Sequence, residues 1–300
     1  MILVIGATGF IGRHLVTELI KENAGNIRVT VRDEKGKKAL AKFGNNIEIV
    51  EADTTNLAAL RKAMQGVKTV FNFAQVTANF KNKNNLYHKV NVEGTQNVVN
   101  TAKEAGVQYI ILGSGLGTVP AKAGSYMQTR WEAEEIVRKS GISYTILQPS
   151  ILFGKGSEFF EAQARVMKLT WPVAVVIGNG KLRFQPVYVE DVVRATALCL
   201  AMDDKRNKSI EIAGDKVYTF KELIVLLKNT LGKKRVLLYQ PVWLMKMVAA
   251  IFSILPKPPL TPATLELFSF ENVAKDLHVI EKEFHFKPVA LEEYLAKNGI

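Results

Sequence analysis

The sequence predicts an α/β protein, a doubly wound parallel sheet with a smaller C-terminal α+β substrate lobe. Three observations predict it. The chain opens MILVIGATGFIG, an apolar run that leads through Gly6, Gly9 and Gly12 into a helical pattern. Strand-like and helix-like stretches then alternate through the first half. The opening strand reads as a continuous apolar run, the mark of a central strand covered on both faces. Right-handed crossovers turn such an alternation into a doubly wound sheet with its ligand across the C-terminal strand ends.

The opening strand covers residues 2–5, and the first helix runs to about Glu22. Gly6 permits the sharp turn between them. Gly9 lets the backbone approach a pyrophosphate, and Gly12 lets the helix pack closely on the strand. The helix N-terminus offers N–H groups and a partial positive charge to phosphates. The stretch therefore reads as a dinucleotide site.

A second strand, residues 27–31, ends in Arg32-Asp33. An acidic residue at this place would bind both ribose hydroxyls of NAD, whereas arginine favours the 2′-phosphate of NADP. NADP(H) is the preferred cofactor and NAD(H) the alternative, because Asp33 follows at once. Asp33 also reads as a helix cap. Arg13 is either a second phosphate ligand or a solvent-exposed helix residue.

The third strand, residues 47–51, leads to Ala52-Asp53-Thr54. Asp53 lies on the ligand side of the sheet and is expected to accept from an adenine amine. The competing reading makes it the cap of a helix beginning near Asn56. The fourth strand, residues 67–73, ends in Ala74-Gln75, where small residues let the backbone pass under a ribose. A polar surface loop at 79–85 precedes a long helix over 86–105, which Gly106 stops. A fifth strand at 108–112 follows.

Gly113-Ser114-Gly115 then makes a small-residue turn at a strand end. Tyr126 and Arg130 stand one helical turn apart and share a face. A cation stabilises a neighbouring phenolate, and such a phenol can pass a proton to or from a substrate oxygen. Ser114 is expected to hold the same oxygen.

With these pieces in place, the chain resembles the short-chain dehydrogenase/reductase superfamily, in its extended or atypical form. The matching motifs are GATGFIG, VRD, EADTTN, NVEGTQNVVNTAKEAGV, the serine turn and Tyr126-x-x-x-Arg130, then LQPSILFGKG, QPVYVEDVVRA, PPLTPATLELF and LEEYL. The set looks most like the branch of the nucleotide-binding accessory subunit of respiratory complex I and its bacterial or archaeal relatives. The resemblance implies that Gly6, Thr8, Gly9, Phe10, Ile11 and Gly12 hold the pyrophosphate and Arg32 the 2′-phosphate. Asp53 would face the adenine, with Thr54, Ala74 and Gln75 also at the cofactor. Tyr126 would be the acid/base, with Ser114 its partner and Arg130 beside both ribose and phenol. Pro149 and its followers Ser150, Ile151, Leu152 and Phe153 would line the nicotinamide pocket. Two positions depart from the superfamily pattern. Arg130 stands where lysine is usual, and its planar fork is not equivalent to an ammonium. Gln148 stands where arginine often precedes the proline.

In the second half the strict alternation fades. A strand at 142–147 is followed by a helix at 158–169, a break at Trp171-Pro172, a strand at 173–177 and a turn at 178–180. Glu190 and Asp191 open an amphipathic helix, where acids suit the dipole. Cys199 lies in its apolar run and reads as core. A strand at 209–213 and a helix at 219–231 follow. Residues 241–256 form the most apolar segment, too short to span a bilayer. It either covers the substrate lobe or lies on a membrane or partner. The proline-rich stretch at 257–262 reads as a turn.

At 300 residues and 48% hydrophobic content, the chain can bury a large core. Division into a dinucleotide-binding domain at 1–150 and a partly interwoven substrate lobe at 151–300 is expected. The formal net charge of +12 suits an anionic ligand, an anionic membrane or a nucleic acid. The lysines are scattered and no nucleic-acid motif appears, so nucleic acid is not expected. One cysteine excludes an intrachain disulfide. His14, His88, His278 and His285 are far apart in sequence, and no metal is expected. The chain begins within its first strand, so no signal or transit peptide is expected, and a reducing cytoplasm fits. The leading functional expectation is an NADP(H)-binding oxidoreductase moving hydride to or from a carbonyl or alcohol. One alternative is a catalytically weak NADP(H)-binding scaffold on a membrane complex. Another is an NAD-dependent nucleotide-sugar epimerase or dehydratase. The expected partners are a small-molecule substrate and a second copy in a homodimer, with peripheral membrane association left open.

Overall fold

Seven strands form one sheet, whose order across is residues 208–212, 143–149, 109–113, 69–72, 2–5, 27–31 and 48–51. In this computed structural model, which describes residues 1–232, 234–252 and 261–300, the first half supplies most of them. They are β1 (Ile2–Ile5), β2 (Ile27–Val31), β3 (Glu48–Glu51), β4 (Thr69–Asn72), β5 (Tyr109–Gly113) and β6 (Ser143–Pro149). Each pair among them is parallel, as expected from the alternation. The helices between are α1 (Phe10–Lys21), α2 (Glu34–Leu40), α3 (Leu57–Ala63), α4 (Gly94–Glu104) and α5 (Tyr126–Arg138). Strand β1 has β2 on one side and β4 on the other. The chain thus reverses its winding direction at β1, the place where open α/β sheets take ligands.

All four residues of β1 and all five of β5 are buried, which explains their unbroken apolar character. Helix α1 buries Leu15, Val16 and Leu19 along one stripe. The long helix expected at 86–105 differs in its first turns. His88–Glu93 is π-helical before α4 begins at Gly94. The wider turn brings Asn91 to complete burial, a placement that regular 3.6-residue periodicity does not reveal.

The remaining elements are β7 (Leu152–Phe153), α6 (Glu158–Leu169), β8 (Val173–Ile177), β9 (Arg183–Phe184), β10 (Val187–Tyr188) and α7 (Val189–Leu198). They continue as β11 (Lys208–Ile212), β12 (Tyr218–Thr219), α8 (Phe220–Thr230), β13 (Val236–Gln240), α9 (Val242–Phe252), α10 (Pro262–Glu266), α11 (Val279–Phe284) and α12 (Leu291–Asn298). Strand β11 completes the main sheet beside β6, and the fading alternation hid that long-range pairing. The expected turn at 257–262 falls largely outside the described residues, as does the end of the apolar segment at 253–256.

The chain divides into two compact units. The first comprises Met1–Val76, Asn82–Gln148 and Val192–Ile210. The second comprises Thr77–Lys81, Pro149–Asp191 and Glu211–Ile300. Three strand pairs, β7 with β10, β8 with β13 and β9 with β12, build the second unit. Its core is aromatic, with Phe153, Phe160, Phe184 and Phe220 buried together. Thr219 and Glu222 cap α8 reciprocally, fixing where that helix starts.

Cys199 is fully buried in the first unit, and burial pushes its thiol up to about 12. The reactive thiolate is therefore scarce at pH 8 or below. Thiol-specific reagents at about pH 8 are expected to leave the folded protein unlabelled and to label one site after denaturation. Rapid labelling of the native protein would contradict this burial.

Candidate active site

Strands β1, β4 and β5 are successive neighbours, so the turns at their C-terminal ends lie side by side. Gly6 ends β1 with φ of +84°, a conformation open to glycine and strained for other residues. A Cβ there would come within 2.6 Å of the Phe73 carbonyl carbon, in the chain leaving β4. The two turns therefore touch backbone to backbone. A Cβ on Gly12 would overlap the carbonyl oxygen of Gly6, so the α1–β1 approach needs glycine on the helix side. Gly9 donates its N–H to the same oxygen at 3.0 Å.

Helix α1 has no side-chain cap at Gly9 and no acidic residue in its first turn. The first-turn N–H groups and the dipole are left to an anionic ligand. Thr8 and Gly9 are exposed at this turn, while Phe10 and Ile11 are half-buried. The Arg13 guanidinium sits over the Phe10 ring, 5.7 Å from its centroid. This is the cradle a pyrophosphate needs, formed by backbone and closed to larger residues.

Arg32 is exposed just beyond β2. Asp33 next to it caps α2, its Oδ1 accepting from the Gly36 N–H at 2.8 Å. The carboxylate thus serves the helix, and Arg32 remains the cation at the strand end. Asp53 is half-buried, and its Oδ1 accepts from the Thr55 N–H at 2.8 Å and hydroxyl at 2.6 Å. The cap of α3 is Asn56, not Asp53: Asn56 Oδ1 accepts from the Ala59 N–H at 3.1 Å. Thr54 is buried against Gly94, where a Cβ would lie 2.7 Å from its Oγ1.

Asn91 was not singled out by the sequence reading, although it stands inside one of the matched motifs. Its Oδ1 accepts from the Val76 N–H at 2.8 Å, and its Nδ2 donates to Thr129 Oγ1 at 3.3 Å. It ties the chain beyond Ala74 and Gln75 to α5. Residue type alone does not single it out, because Gln96, Asn97 and Asn100 stand in the same helical stretch. Two buried donors in this region, Gln75 Nε2 and Arg130 Nε, have no hydrogen-bond partner among the described residues. Buried donors are normally satisfied, and the hydroxyls and carbonyls of a dinucleotide would satisfy them. Together with the glycine cradle, these residues fit an NAD(P) cofactor.

Ser125 caps α5, its Oγ accepting from the Gln128 N–H, and so places Tyr126 at the start of the helix. Tyr126 is buried, with its ring edge-on to Tyr87 at 5.6 Å. Arg130 Nη1 donates to the Tyr126 hydroxyl oxygen at 2.8 Å. The phenol's own hydrogen is left for another acceptor. A Cβ on Gly115 would overlap the Arg130 guanidinium, so the serine turn is shaped around that side chain.

Ser114 does not pair with Tyr126. Its Oγ donates to Glu134 Oε1 at 2.5 Å. Glu134 is buried on α5 and also accepts from Gln148 Nε2, at 2.9 and 3.0 Å, and from Arg138. The buried carboxylate is the stronger acceptor, which explains the change of partner. Gln148, which departs from the superfamily pattern, is part of this cluster.

Pro149, Ile151 and Phe153 fall in the second unit. Asn272 Oδ1 holds the Ile151 N–H at 2.8 Å and the Ser150 hydroxyl at 2.6 Å. Phe153 departs from the expected pocket-lining role. It is 1% exposed and stacks on Tyr188 at 5.4 Å within the aromatic core.

Fold and cradle define a dinucleotide-binding α/β protein of the Rossmann type. The chain belongs to the NAD dependent epimerase/dehydratase family, whose model matches residues 2–213. This is an extended form of the short-chain dehydrogenase/reductase architecture, as the motifs implied. The chain is 24% identical over 253 residues to the mitochondrial NADH-ubiquinone oxidoreductase 40 kDa subunit of Neurospora crassa, covering 83% of this chain. It spans 65% of that subunit's length. It is 29% identical over 235 residues to quinone oxidoreductase 2 of Escherichia coli, covering 78% of this chain and 76% of that protein. The crystal structure of an NADPH-dependent quinone oxidoreductase from Escherichia coli, complexed with NADPH, superposes with a TM-score of 0.75. That pair is 25% identical and covers 99% of each chain.

Proposed function

We propose that this protein is an NADP(H)-dependent oxidoreductase acting on a carbonyl, alcohol or quinone-type small molecule. The observation that carries the proposal is the buried Tyr126–Arg130 pair, in the same unit as the glycine cradle. Bound NADPH would supply the hydride. Gly6, Thr8, Gly9, Phe10, Ile11 and Gly12 would hold its pyrophosphate. Asp53 and Thr54 would sit at the adenine end, and Ala74 and Gln75 at a ribose. Tyr126 would give its hydroxyl proton to the substrate oxygen during reduction and take it back during oxidation. Arg130 would stabilise the phenolate left behind. Ser114, held by Glu134, presents its lone pairs to a substrate hydroxyl.

Arg32 supports NADPH over NADH. A charge-assisted contact with the 2′-phosphate is worth enough that its loss changes affinity about tenfold. Arg32→Ala is therefore expected to raise the Kd for NADPH about tenfold and to leave NADH unchanged. Fluorescence titration of both nucleotides checks this. Equal effects on both would remove Arg32 as the selector and reopen the NAD-dependent epimerase or dehydratase reading, which the family membership keeps in view.

A second reading is an NADP(H)-binding scaffold of a membrane complex, with little turnover. It is favoured by the likeness to the 40 kDa subunit and by arginine at position 130. The homodimer belongs to the oxidoreductase reading, through the surface of α4 and α5 where Gln96, Val99, Trp131 and Ile136 line a groove. Sedimentation at micromolar concentration distinguishes dimer from monomer.

A further inference from the structure

The second unit carries an apolar face that its own core leaves outside. Leu169, Trp171, Val236, Trp243, Met247 and Ile251 are all exposed, the two tryptophans by 61% and 64%. The segments that carry Leu169, Trp171 and Val236 adjoin one another. The Val236 N–H donates to the Pro172 carbonyl at 2.9 Å, and the Arg235 Nε donates to the Met167 carbonyl at 3.3 Å. Strand β13 then leads directly into α9. On α9, Trp243, Met247 and Ile251 recur every fourth residue and form one stripe, while Ala249 on the other side is buried.

The two sequence stretches that carry this face hold charge of one sign. No aspartate or glutamate occurs between Glu161 and Glu190, or between Glu222 and Glu266. The same two stretches hold Arg165, Lys168, Lys228, Lys234 and Lys246, exposed or half-buried and without an ion pair among the described residues. Exposed apolar patches of this kind mark interaction sites. Tryptophan flanked by lysine is the composition of a side chain set at the water–headgroup boundary.

We propose that β13, α9 and the turn after α6 dock on the surface of an anionic lipid bilayer. The tryptophans and Met247 enter the headgroup region, and the cations meet the lipid phosphates. At 1.5 Å per residue, α9 is about 16 Å long, roughly half a hydrocarbon core. It therefore lies in the plane. Among the described residues no helix is long and apolar enough to cross a membrane. A second copy is the weaker occupant, because a twofold contact would bring these cations against their own copies. The proposal does not depend on the oxidoreductase reading, since none of these residues is assigned to the cofactor.

The test is co-sedimentation of the full chain with vesicles of phosphatidylcholine alone or mixed with phosphatidylglycerol. Binding is expected to the mixed vesicles only, to weaken with added salt, and to shift tryptophan emission to the blue. The Trp171→Ser/Trp243→Ser/Met247→Ser variant is expected to bind roughly tenfold less or worse, at unchanged NADPH affinity and circular dichroism. Lys168→Ser and Lys246→Ser are each expected to weaken binding about fivefold at low salt. Absence of binding to anionic vesicles at low salt would overturn the proposal. So would equal binding by the triple variant. A dimer in free solution that the triple variant dissociates would assign the face to a second copy instead.

Discussion

Tyr126→Phe is expected to lower NADPH-dependent reduction of a small quinone by about 10²–10⁴-fold, the usual worth of a positioned acid/base group. NADPH affinity is expected to stay within about twofold, because the cradle is backbone and the ring is kept. The reasoning rests on one hydrogen bond. Arg130 Nη1 donates to the Tyr126 oxygen, so the hydroxyl hydrogen is free for the substrate and the oxygen is ready to carry charge. Phenylalanine removes the proton and leaves the Arg130 nitrogen without that acceptor in a buried place. Some loss of stability follows, about 1–3 kcal/mol for the unsatisfied group. Thermal unfolding of the variant therefore accompanies the rate measurement. Unchanged turnover in a folded variant would take Tyr126 out of the chemistry and favour the scaffold reading. A protein that turns over no quinone before mutation, yet binds NADPH, would do the same.

Much of the first unit could be read from residue types alone, for a physical reason. A central parallel strand such as β1 must be apolar on both faces, so its limits coincide with the limits of its apolar run. Gly6 and Gly12 were legible because a strand that turns into a tightly packed helix excludes side chains at those two places. Asp33 was ambiguous in sequence because a cap and a ribose ligand use the same carboxylate. Only the position of the Gly36 N–H separates them. What stayed hidden depended on contacts across the fold. The π-helical turn that buries Asn91 breaks the period by which helices are recognised. The pairing of β11 with β6 joins segments about sixty residues apart, through a strand that looks like any other. Phe153 followed a motif that pointed to a pocket, while the aromatic residues around it, Phe160, Tyr188 and Tyr294, make it core. Ser114 was correctly placed at a strand end, but its partner lies twenty residues on, on a helix face whose orientation the local sequence does not fix.

That partner is the second large expectation. Glu134 is 1% exposed and accepts from Ser114, Gln148 and Arg138 at once. A buried carboxylate is tolerable only when it is paired and hydrogen-bonded, and here both conditions hold. Glu134→Ala is expected to cost about 2–3 kcal/mol. That is below the ~3–5 kcal/mol of a fully buried broken pair, because Arg138 keeps 28% of its side chain in water. Unfolding in urea measures it. Glu134→Gln keeps the shape and one acceptor oxygen, and is expected to cost less than half as much. Its effect on rate is the informative one. The amide is a weaker acceptor, so Ser114 is released to rotate its hydroxyl toward the substrate or away from it. With a substrate that carries a hydroxyl, the KM is then expected to move more than kcat, because Ser114 accepts from that hydroxyl while Tyr126 moves the proton. If Glu134→Gln and Ser114→Ala each raise the KM and the double variant adds nothing further, the two act as one unit. If their effects add fully, Glu134 only supports the fold, and Ser114 works without it.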